Sequence, residues 1–526
     1  MTMRERFRLT LVAIESLLSS TAVEFRFIFA HGSLPGWLDE AIERLSAAGR
    51  LERRRFETEF WPQEMRKALV GEIDTDYVVF VDNDLLFSRG WLERLVECAD
   101  ATGAGCVGPL YLLGDGVNPA RVHMAGGELR TRKEEDGTVF EERHRHMDAE
   151  VGQVRDRLVR GPCDYLEFHC MLVRTALARQ PGVLDETITC ANEHIDVALE
   201  LRARGAAAWF EPAAQVTYLG LVPHVLEDLP IMRRRWDLGA LEASIAAFAG
   251  KWKFLADDRS FGGVRDYVRE MRGRQDPLRL DASAGDRALP IAARDLPQTR
   301  SSLLELAAAR GYREAELSFL LRAYRAAEAL VDGGYRPCGR PFIQHLVGTA
   351  GVLMRYDFCV EVVAEGLLHA AYTHRRVPAS EVAALLAQVH PLVEKRVRNY
   401  TQRAARERTQ PAAACSIRDA EIAAIEAANE IDMRLSGEYA FSGRPPEISP
   451  EGAARLAQVL ELLGLPGMAL TLRSALADPH AVPGELVTGL HMSYRIGAGN
   501  ERVPMVAVPA EAAPALERAA APAARV

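Results

Sequence analysis

The chain has 526 residues, more than one hydrophobic core usually holds, so we expect two or three domains. Hydrophobic residues make up 48% of the sequence and charged residues 26%, a balance that excludes a largely disordered protein. The formal net charge of −9 argues against a general nucleic-acid binder, because such proteins carry a basic excess.

The N-terminus and the cysteines indicate a cytoplasmic protein. Arg4, Glu5, Arg6 and Arg8 interrupt any apolar segment of the secretory type, and no apolar run reaches the roughly eighteen residues of a membrane span. The eight cysteines form no Cys-x-x-Cys pair, which predicts buried free thiols in a reducing compartment. The excess of Arg over Lys and the abundance of Ala are typical of a GC-rich bacterial genome. We therefore expect a cytoplasmic bacterial protein without a transmembrane segment.

The first half alternates helix-like and strand-like segments. Apolar periodicity predicts helices over 6–19, 36–47, 62–71 and about 89–101, and strands over 24–30, 51–58, the apolar part of TDYVVFVDND and about 104–108. This alternation predicts a mostly parallel sheet with helices on both faces. Ligands bind beyond the carboxyl ends of strands in such sheets, and Asp82, Asn83 and Asp84 follow a strand at that edge.

Two aspartates one residue apart, Asp82 and Asp84, form a pattern that can hold a divalent cation. Mg²⁺ and Mn²⁺ prefer oxygen ligands and share them with substrate phosphates. Such an ion would neutralise the charge that develops when a sugar leaves a nucleotide diphosphate. The alternative is an acidic turn before the next helix, although Ser88 can cap that helix alone.

Five segments, in order, resemble glycosyltransferases of family 2. They are VDND with the following LLFSRGWLERLVECADATGAGCVGPL, HMAGGELR at 123–130, CDYLEFHCMLVRTAL at 163–177, GVLDETITCANEHIDVALELRARG at 182–205 and RRRWDLGALEASIAAFAGKW at 233–252. The resemblance covers about residues 4–255 and implies the α/β GT-A fold, a Rossmann-like nucleotide half joined to an acceptor half. It implies an inverting hexosyltransferase-type enzyme with a nucleotide-sugar donor, an unknown acceptor (glycan, lipid-linked or small molecule) and Mn²⁺ or Mg²⁺.

The resemblance also assigns residues to the donor side. Asp84 would be the direct metal ligand, and Asp82 would contact the ribose or reach the metal through water. Asn83, between them, would belong to the nucleotide-sugar site. Arg66 and Lys67 stand where the family often has an Arg-Asn pair near the nucleotide, with a solvated helix face as the alternative.

The sequence departs from the family at three places on this side. His31, in AHGS, replaces the family's Asp in a turn of the nucleotide site. Tyr218 occupies the position of a third metal ligand, which leaves His224, six residues later, as a weak candidate. The family's first strand is missing, because RFRLTLVAIESLL is already the helix that follows it. Either the coding sequence starts upstream of Met1 or the nucleotide pocket has degenerated, and we expect the former.

Glu193, His194 and Asp196 fall where the family places its catalytic base, the group that takes the proton of the acceptor hydroxyl. Either Glu193 or His194 is the base, because their side chains point about a hundred degrees apart on a helix. Asp196 is then a structural or acceptor-binding carboxylate. An acidic cluster favoured by the helix dipole is the alternative for all three. Asp164 and His169 lie in the acceptor-side strand, where His169 either shapes acceptor choice or is a satisfied interior residue.

The second half has a different character. We predict a first domain over 1–255, a linker over 256–300, a helical domain over 301–508 and a disordered tail over 509–526 that is rich in Ala, Pro and Glu. Residues 320–375 resemble the front of HD-type metal phosphohydrolases, and this all-α resemblance extends over about 310–440. It places His345 and His369 at metal-ligand positions, but Ala370 replaces the Asp that follows.

His374, Glu426 and Asp432 are candidates to replace that Asp, and interior histidines satisfied by hydrogen bonds are the alternative. We expect a non-hydrolytic HD-like module for binding or scaffolding. The sequence thus leaves three functions: a glycosyltransferase, a decayed transferase that acts as a binding or regulatory protein through its helical domain, and a metal phosphohydrolase.

Overall fold

In the computed structural model, the described residues are 1–56, 60–118, 120–279, 287–375, 377–404, 411–480 and 503–504. The chain divides into two compact units, Met1–Arg274 and Gln275–Val526. The predicted tail at 509–526 lies outside the described residues. The predicted linker at 256–300 contains a helix over Asp258–Gln275, because Phe261 and Val268 give this charged segment a buried face.

The first unit is an α/β structure. Its strands are β1 (Ile28–His31), β2 (Glu52–Arg55), β3 (Tyr77–Val81), β4 (Leu85–Phe87), β5 (Cys106–Leu113), β6 (Arg121–Met124), β7 (Gly127–Glu134), β8 (Gly137–His144), β9 (Gly161–Cys163), β10 (Cys170–Arg174) and β11 (Ala208–Tyr218). Its helices are α1 (Thr10–Ser20), α2 (Gly36–Ala47), α3 (Pro62–Leu69), α4 (Trp91–Thr102), α5 (Val151–Val154), α6 (Thr175–Ala178), α7 (Glu193–Ala203), α8 (Leu229–Arg235), α9 (Leu238–Trp252) and α10 (Asp258–Gln275). The helices and strands predicted for the first half are confirmed, with ends that shift by a few residues.

The main sheet has the strand order β3-β10-β5-β11-β4, with β6 beside β5 and β9 beside β11. Strand β10 runs antiparallel to both β3 and β5, and β4 runs antiparallel to β11, whereas β5 and β11 are parallel. The prediction of a mostly parallel sheet is therefore wrong for this sheet. Apolar periodicity reports which residues are buried, but it carries no information on strand direction.

The place of the expected first strand holds the first residues of the chain. Thr2 pairs in parallel with both Ala30 and Asp82, and its amide donates to the carbonyl of Val81 at 2.9 Å. The Met1 amino group donates to the carbonyl of Ile28 at 2.8 Å, and burial lowers its pKa to about 5. Beside these residues, a cavity of about 1380 Å³ extends between β1 and β3. Thr2 and Met3 are both buried, so these first residues are part of the interior of the first unit.

The second unit is helical. Its helices are α11 (Arg300–Ala309), α12 (Glu314–Val331), α13 (Phe342–Arg355), α14 (Val360–Leu368), α15 (Ala379–Val389), α16 (Pro391–Ala404), α17 (Ile417–Leu435), α18 (Glu438–Ser442), α19 (Pro450–Leu462) and α20 (Pro466–Ala477). Two short strands, β12 (Gly334–Tyr335) and β13 (Val503–Pro504), pair in parallel. Helix α17 begins at an N-cap, where the Ser416 hydroxyl accepts from the amide of Asp419.

A buried ion pair joins α17 to the segment before α13. The Arg340 guanidinium donates to both oxygens of Asp432, at 2.7 and 3.1 Å, and both side chains are fully buried. His345 Nδ1 lies 2.8 Å from Asp432 Oδ2. Gly348 in α13 leaves the room for this carboxylate, because a Cβ there would lie 1.7 Å from Asp432 Oδ1.

We predict that Gly348→Ala destabilises the helical unit by about 2–4 kcal/mol, since the methyl group displaces Asp432 from its ion pair with the buried Arg340 guanidinium. Denaturant unfolding followed by circular dichroism measures the loss. Gly250→Ala is the matched control: it is also a helical glycine, but its Cβ meets open space, so the expected change stays within about 1 kcal/mol. Equal unfolding midpoints for both variants would contradict the packing around Asp432.

Candidate active site

The acidic motif follows β3 and is fully buried. Asn83 does not face a ligand: its amide donates to the carbonyl of Arg6 at 2.9 Å and to the Thr10 hydroxyl at 3.0 Å. Its side-chain oxygen accepts from the amide of Arg4 at 2.8 Å. Asn83, predicted for the nucleotide-sugar site, thus fastens the N-terminal segment against the carboxyl end of β3.

Asp82 lies between two arginines. Arg4 Nη1 donates to Asp82 Oδ2 at 2.6 Å, and Arg66 Nη2 donates to Oδ1 at 3.2 Å. Although burial opposes ionisation, Arg4 and His169 hold the pKa of Asp82 well below its usual range. Of the two predicted basic residues, Arg66 contacts the motif, whereas half-buried Lys67 is the next position along α3. The Asp82 carboxylate is therefore stabilised in its ionised form by the guanidinium groups of Arg4 and Arg66.

Asp84 has a different environment. Its Oδ2 lies 3.5 Å from Arg6 Nη1, and its Oδ1 is buried without a hydrogen-bond partner among the described residues. Burial and the neighbouring carboxylate of Glu5 raise the pKa of Asp84 to about 6. One oxygen each of Asp82 and Asp84 and one nitrogen of His169 lie within 4.8 Å of one another. An orphaned buried oxygen among carboxylates fits a divalent cation with oxygen preference.

His224, the weak metal candidate, lies behind Glu5. Its Nε2 is 3.8 Å from Glu5 Oε2, and neither ring nitrogen has a hydrogen-bond partner in the described part of the chain. Burial lowers the pKa of His224 to about 4, so the ring is neutral at pH 7. Tyr218 donates from its hydroxyl to Glu5 Oε2 at 3.4 Å. Glu5 thus contacts both Tyr218, at the family's third-ligand position, and His224, the weak candidate for that ligand.

The candidate bases begin α7. Glu193 Oε2 and His194 Nε2 are both buried atoms without a partner among the residues described. Burial lowers the pKa of Arg66 to about 10, and the charges of Asp82 and Glu193 oppose that fall. The His194 ring instead lies 5.6 Å from the ring of Tyr165, centroid to centroid. Glu193 therefore interacts electrostatically with Arg66, the partner of Asp82, whereas His194 lies near Tyr165.

Asp196 is directed away from this site, towards the end of α9. Its carboxylate accepts from Lys251 Nζ at 2.9 Å and from Trp252 Nε1 at 2.7 Å, and it is fully buried. Burial raises the pKa of Asp196 to about 6, although Lys251 opposes the rise. Of the two roles that the sequence allowed for Asp196, this geometry supports the structural one.

Two other predicted site residues, His31 and Asp164, form hydrogen bonds with neighbouring parts of the fold. His31 is buried: its Nδ1 lies 2.7 Å from the carbonyl of Gly32, and its Nε2 accepts from Arg53 at 2.9 Å. Asp164 accepts from the amide of Leu129 at 2.9 Å and from Arg202 at 2.6 Å. Neither is brought to Asp82 and Asp84, because local pairing with neighbouring strands and helices takes up their polar atoms.

His169, in contrast, lies at the centre of the site. Its Nδ1 is 3.2 Å from Asp82 Oδ2, and its Nε2 is 2.9 Å from Glu167 Oε2. Sequence reasoning did not assign Glu167 or the N-terminal Arg4, Glu5 and Arg6 to the site. The segment CDYLEFHCMLVRTAL carries a signal for Glu167, because this acidic residue lies two positions before His169, just ahead of β10.

Comparison with known proteins gives a family match over part of the first unit. The model for "Glycosyl transferase family 2" matches residues 5–153. Pre-mycofactocin glycosyltransferases from two strains of Mycobacterium tuberculosis are 26% identical over 159 residues. That match covers 30% of this chain and 30% of each relative, so the chain matches less than a third of the relatives' length.

The N-terminal unit contains a glycosyltransferase family 2 domain. Its α/β architecture is GT-A-like. Two solved structures are also similar: GalNAc-T7 with UDP, GalNAc and Mn²⁺ (TM-score 0.34, 11% identity, 52% of this chain and 53% of that chain) and S. aureus TarS 1-349 (TM-score 0.30, 11% identity, 78% and 92%). These scores are too low to bear on the argument. No helix in the described ranges has the length and hydropathy needed to cross a bilayer.

The described part of the helical unit has no cluster of metal-ligating side chains like that of Asp82, Asp84 and His169. In the described ranges, three or more ligand atoms come within 4.8 Å of one another at two places, and both are in the first unit. The rings of His345 and His369 are 5.3 Å apart, and Arg340 and His345 already bind Asp432. The comparisons do not support an HD-like identity for this unit, which therefore stays a prediction.

We predict that Asp196→Ala lowers stability by about 2–3 kcal/mol but leaves nucleotide-sugar binding unchanged, because Lys251 and Trp252 lose a buried acceptor remote from the motif. Denaturant unfolding and ligand-induced thermal shifts measure the two effects. Glu200→Ala is the matched control: it removes a partly exposed partner of the same Lys251, at 3.0 Å, and should cost less. A folded Asp196→Ala protein with no ligand shift would place Asp196 in the site.

Proposed function

We propose that the glycosyltransferase domain transfers a sugar from a nucleotide-sugar donor to an acceptor hydroxyl, with a divalent cation and with inversion at the anomeric carbon. The observation that carries the proposal is the orphaned Oδ1 of Asp84, buried beside Glu5 and Asp82 at the carboxyl end of β3. The family match at residues 5–153 supports it, because the match includes this motif. The reaction would take place in the cytoplasm, where all eight unpaired cysteines would stay reduced.

The cation would be held by Asp84 and Asp82, with Mn²⁺ or Mg²⁺ suited to such oxygens. When bound, it supplies positive charge to the diphosphate leaving group. The guanidiniums of Arg4 and Arg66 donate hydrogen bonds to Asp82. They would be available to bind the phosphate oxygens of the donor. These residues of the chain would thus position the donor and hold the charge that its diphosphate gains.

Glu193 is the base in this proposal. Its buried, unpartnered Oε2 and its electrostatic interaction with Arg66 support this assignment. Glu193 takes the proton of the acceptor hydroxyl while that oxygen attacks the anomeric carbon. The new glycosidic bond forms as the bond from the anomeric carbon to the diphosphate oxygen breaks, and the nucleoside diphosphate leaves with the electron pair.

A second candidate function rests on the same cluster. Arg4 and Arg6 already neutralise Asp82 and Asp84, which would suit a decayed transferase that binds without turnover and serves the helical unit. This candidate predicts no metal-dependent binding of nucleotide-sugars. The phosphohydrolase function has no such support, because the ligand atoms around His345 do not converge within the described residues.

We predict that UDP-, GDP- or dTDP-sugars raise the melting temperature in the presence of Mn²⁺ and that Asp84→Asn abolishes this shift, because the amide is a poor ligand for a hard cation. Thermal-shift titrations of the full chain, with and without Mn²⁺, measure the effect. Asp100→Asn, on the exposed end of α4, is the matched control and should keep the wild-type shift. Absence of a shift from wild type with every sugar would favour the decayed transferase.

The same Asp84→Asn variant has an expected effect without metal. Because folding raises the pKa of Asp84, ionisation of this group lowers the free energy of unfolding as pH rises from about 4 to 6. The substitution removes that cost and should stabilise the metal-free protein by about 1–3 kcal/mol above pH 6, but not below pH 4. Melting temperatures across this range measure the difference, and a pH-independent effect would contradict the raised pKa.

We predict that Glu193→Gln keeps Mn²⁺-dependent donor binding but lowers turnover by roughly 10²–10⁴-fold, since the amide cannot accept the proton. His194→Gln is the matched control on the adjacent position and should retain most of the activity. Release of the nucleoside diphosphate measures turnover, including slow hydrolysis of the donor when the acceptor is unknown. The reverse pattern, with His194→Gln inactive, would assign the base to His194.

A further inference from the structure

A second cluster of metal-ligating side chains lies beside the acidic motif. His123 is in β6, His144 ends β8, and Glu167 and His169 precede β10. The Nε2 atoms of His123 and His169 lie 3.3 and 2.9 Å from Glu167 Oε2, and His144 Nε2 lies 3.3 Å from Oε1. Three imidazoles from separate segments therefore converge on one carboxylate.

We propose that His123, Glu167 and His169 form a transition-metal site of the Zn²⁺ class, which shares His169 with the cluster of Asp82 and Asp84 but does not use the Asp84 carboxylate. The ligand atoms of these three residues lie within 4.8 Å of one another. Ligands of a tetrahedral Zn²⁺ are about 2.0–2.2 Å from the ion and hence about 3.3–3.6 Å from each other. His123 Nε2 lies 3.3 Å from Glu167 Oε2, within this range, and His169 Nε2, at 2.9 Å, would move outward slightly on binding the ion. Two imidazoles and one carboxylate favour Zn²⁺ over Mg²⁺, which prefers oxygen ligands.

The surrounding groups suit such an ion. His169 Nδ1 faces Asp82 Oδ2 at 3.2 Å, the carboxylate–histidine contact that orients a ring whose Nε2 binds metal. His144 holds the second oxygen of Glu167 and would orient that ligand. Arg4 Nη1 also lies 3.1 Å from His169 Nδ1, a competing contact that favours the metal-free tautomer. The site thus has ligands and two groups that fix their orientation.

Two histidines of this cluster, His123 and His144, differ from His31, which has a structural role. His31 uses both ring nitrogens in hydrogen bonds, whereas the Nδ1 atoms of His123 and His144 are buried without a partner among the described residues. The side chains of His123, His144 and Glu167 remain about 15% exposed, so an ion can enter from solvent. With three protein ligands, a fourth position stays open for water or a ligand hydroxyl.

The test is zinc retention by the full chain without a histidine tag. After chelator treatment, exposure to Zn²⁺ and removal of free metal, mass spectrometry of the metal should give about one Zn²⁺ per chain for wild type. His123→Gln should lose the ion, and His144→Gln should weaken binding by about 10–100-fold, as expected for an orienting group. His146→Asn, two residues from His144 and outside the cluster, is the matched control and should retain zinc.

Two further measurements separate this site from the proposed donor site. Asp84→Asn should retain zinc while losing the Mn²⁺-dependent nucleotide shift, so that either proposal can fail alone. Co²⁺ in place of Zn²⁺ should give tetrahedral d–d absorption in wild type but not in His123→Gln. Zinc-free wild type, or zinc retained by folded His123→Gln and Glu167→Gln proteins, would overturn the inference. Loss of zinc in Asp84→Asn would also overturn it, because the ion would then occupy the acidic motif.

Discussion

The ion pair between Arg4 and Asp82 is the contact on which the organisation of the first unit depends. A carboxylate without water cannot stay ionised unless charges or hydrogen bonds replace that water, and Asp82 and Asp84 are both fully buried. Arg4 and Arg6 supply those charges from the first six residues of the chain. The same residues bring Glu5 into the site and make Thr2 the bridge between β1 and β3. One segment, residues 1–6, thus contributes side chains to the site and backbone pairing between β1 and the end of β3.

The sequence predicted the parts of this arrangement that local patterns encode. Helices such as α2, and the acidic end of β3, follow from periodicity and from the spacing of Asp82 and Asp84. The antiparallel direction of β10 was not predictable, because burial looks the same in both directions. Arg4, Glu5 and Arg6 were interpreted only as residues that break an apolar segment. Their role depends on partners about eighty residues away, and no local pattern records these.

The histidines show the same limit. His31 and His224 were both predicted as ligand-binding, yet Arg53 and the carbonyl of Gly32 satisfy His31, whereas neither nitrogen of His224 has a partner among the described residues. A histidine in sequence carries no sign of which remote group will meet its ring. His123 was visible within HMAGGELR, but only the fold brings Glu167 to it. The satisfied nitrogens of His31 and the unpartnered nitrogens of His224 are therefore visible only in the structure.

Three arginine side chains lie beside the carboxylates of the acidic motif in the first unit. Asp82, Asp84 and Glu5 carry three negative charges when ionised, and Arg4, Arg6 and Arg66 form ion pairs with them. A divalent ion would add two positive charges to this buried space, which favours the binding of an anion with it. A nucleotide diphosphate brings such charge, and the guanidiniums can transfer from carboxylate to phosphate oxygens without leaving the site. We therefore expect the proposed cation and donor to bind together, with the arginines paired to the carboxylates when both are absent.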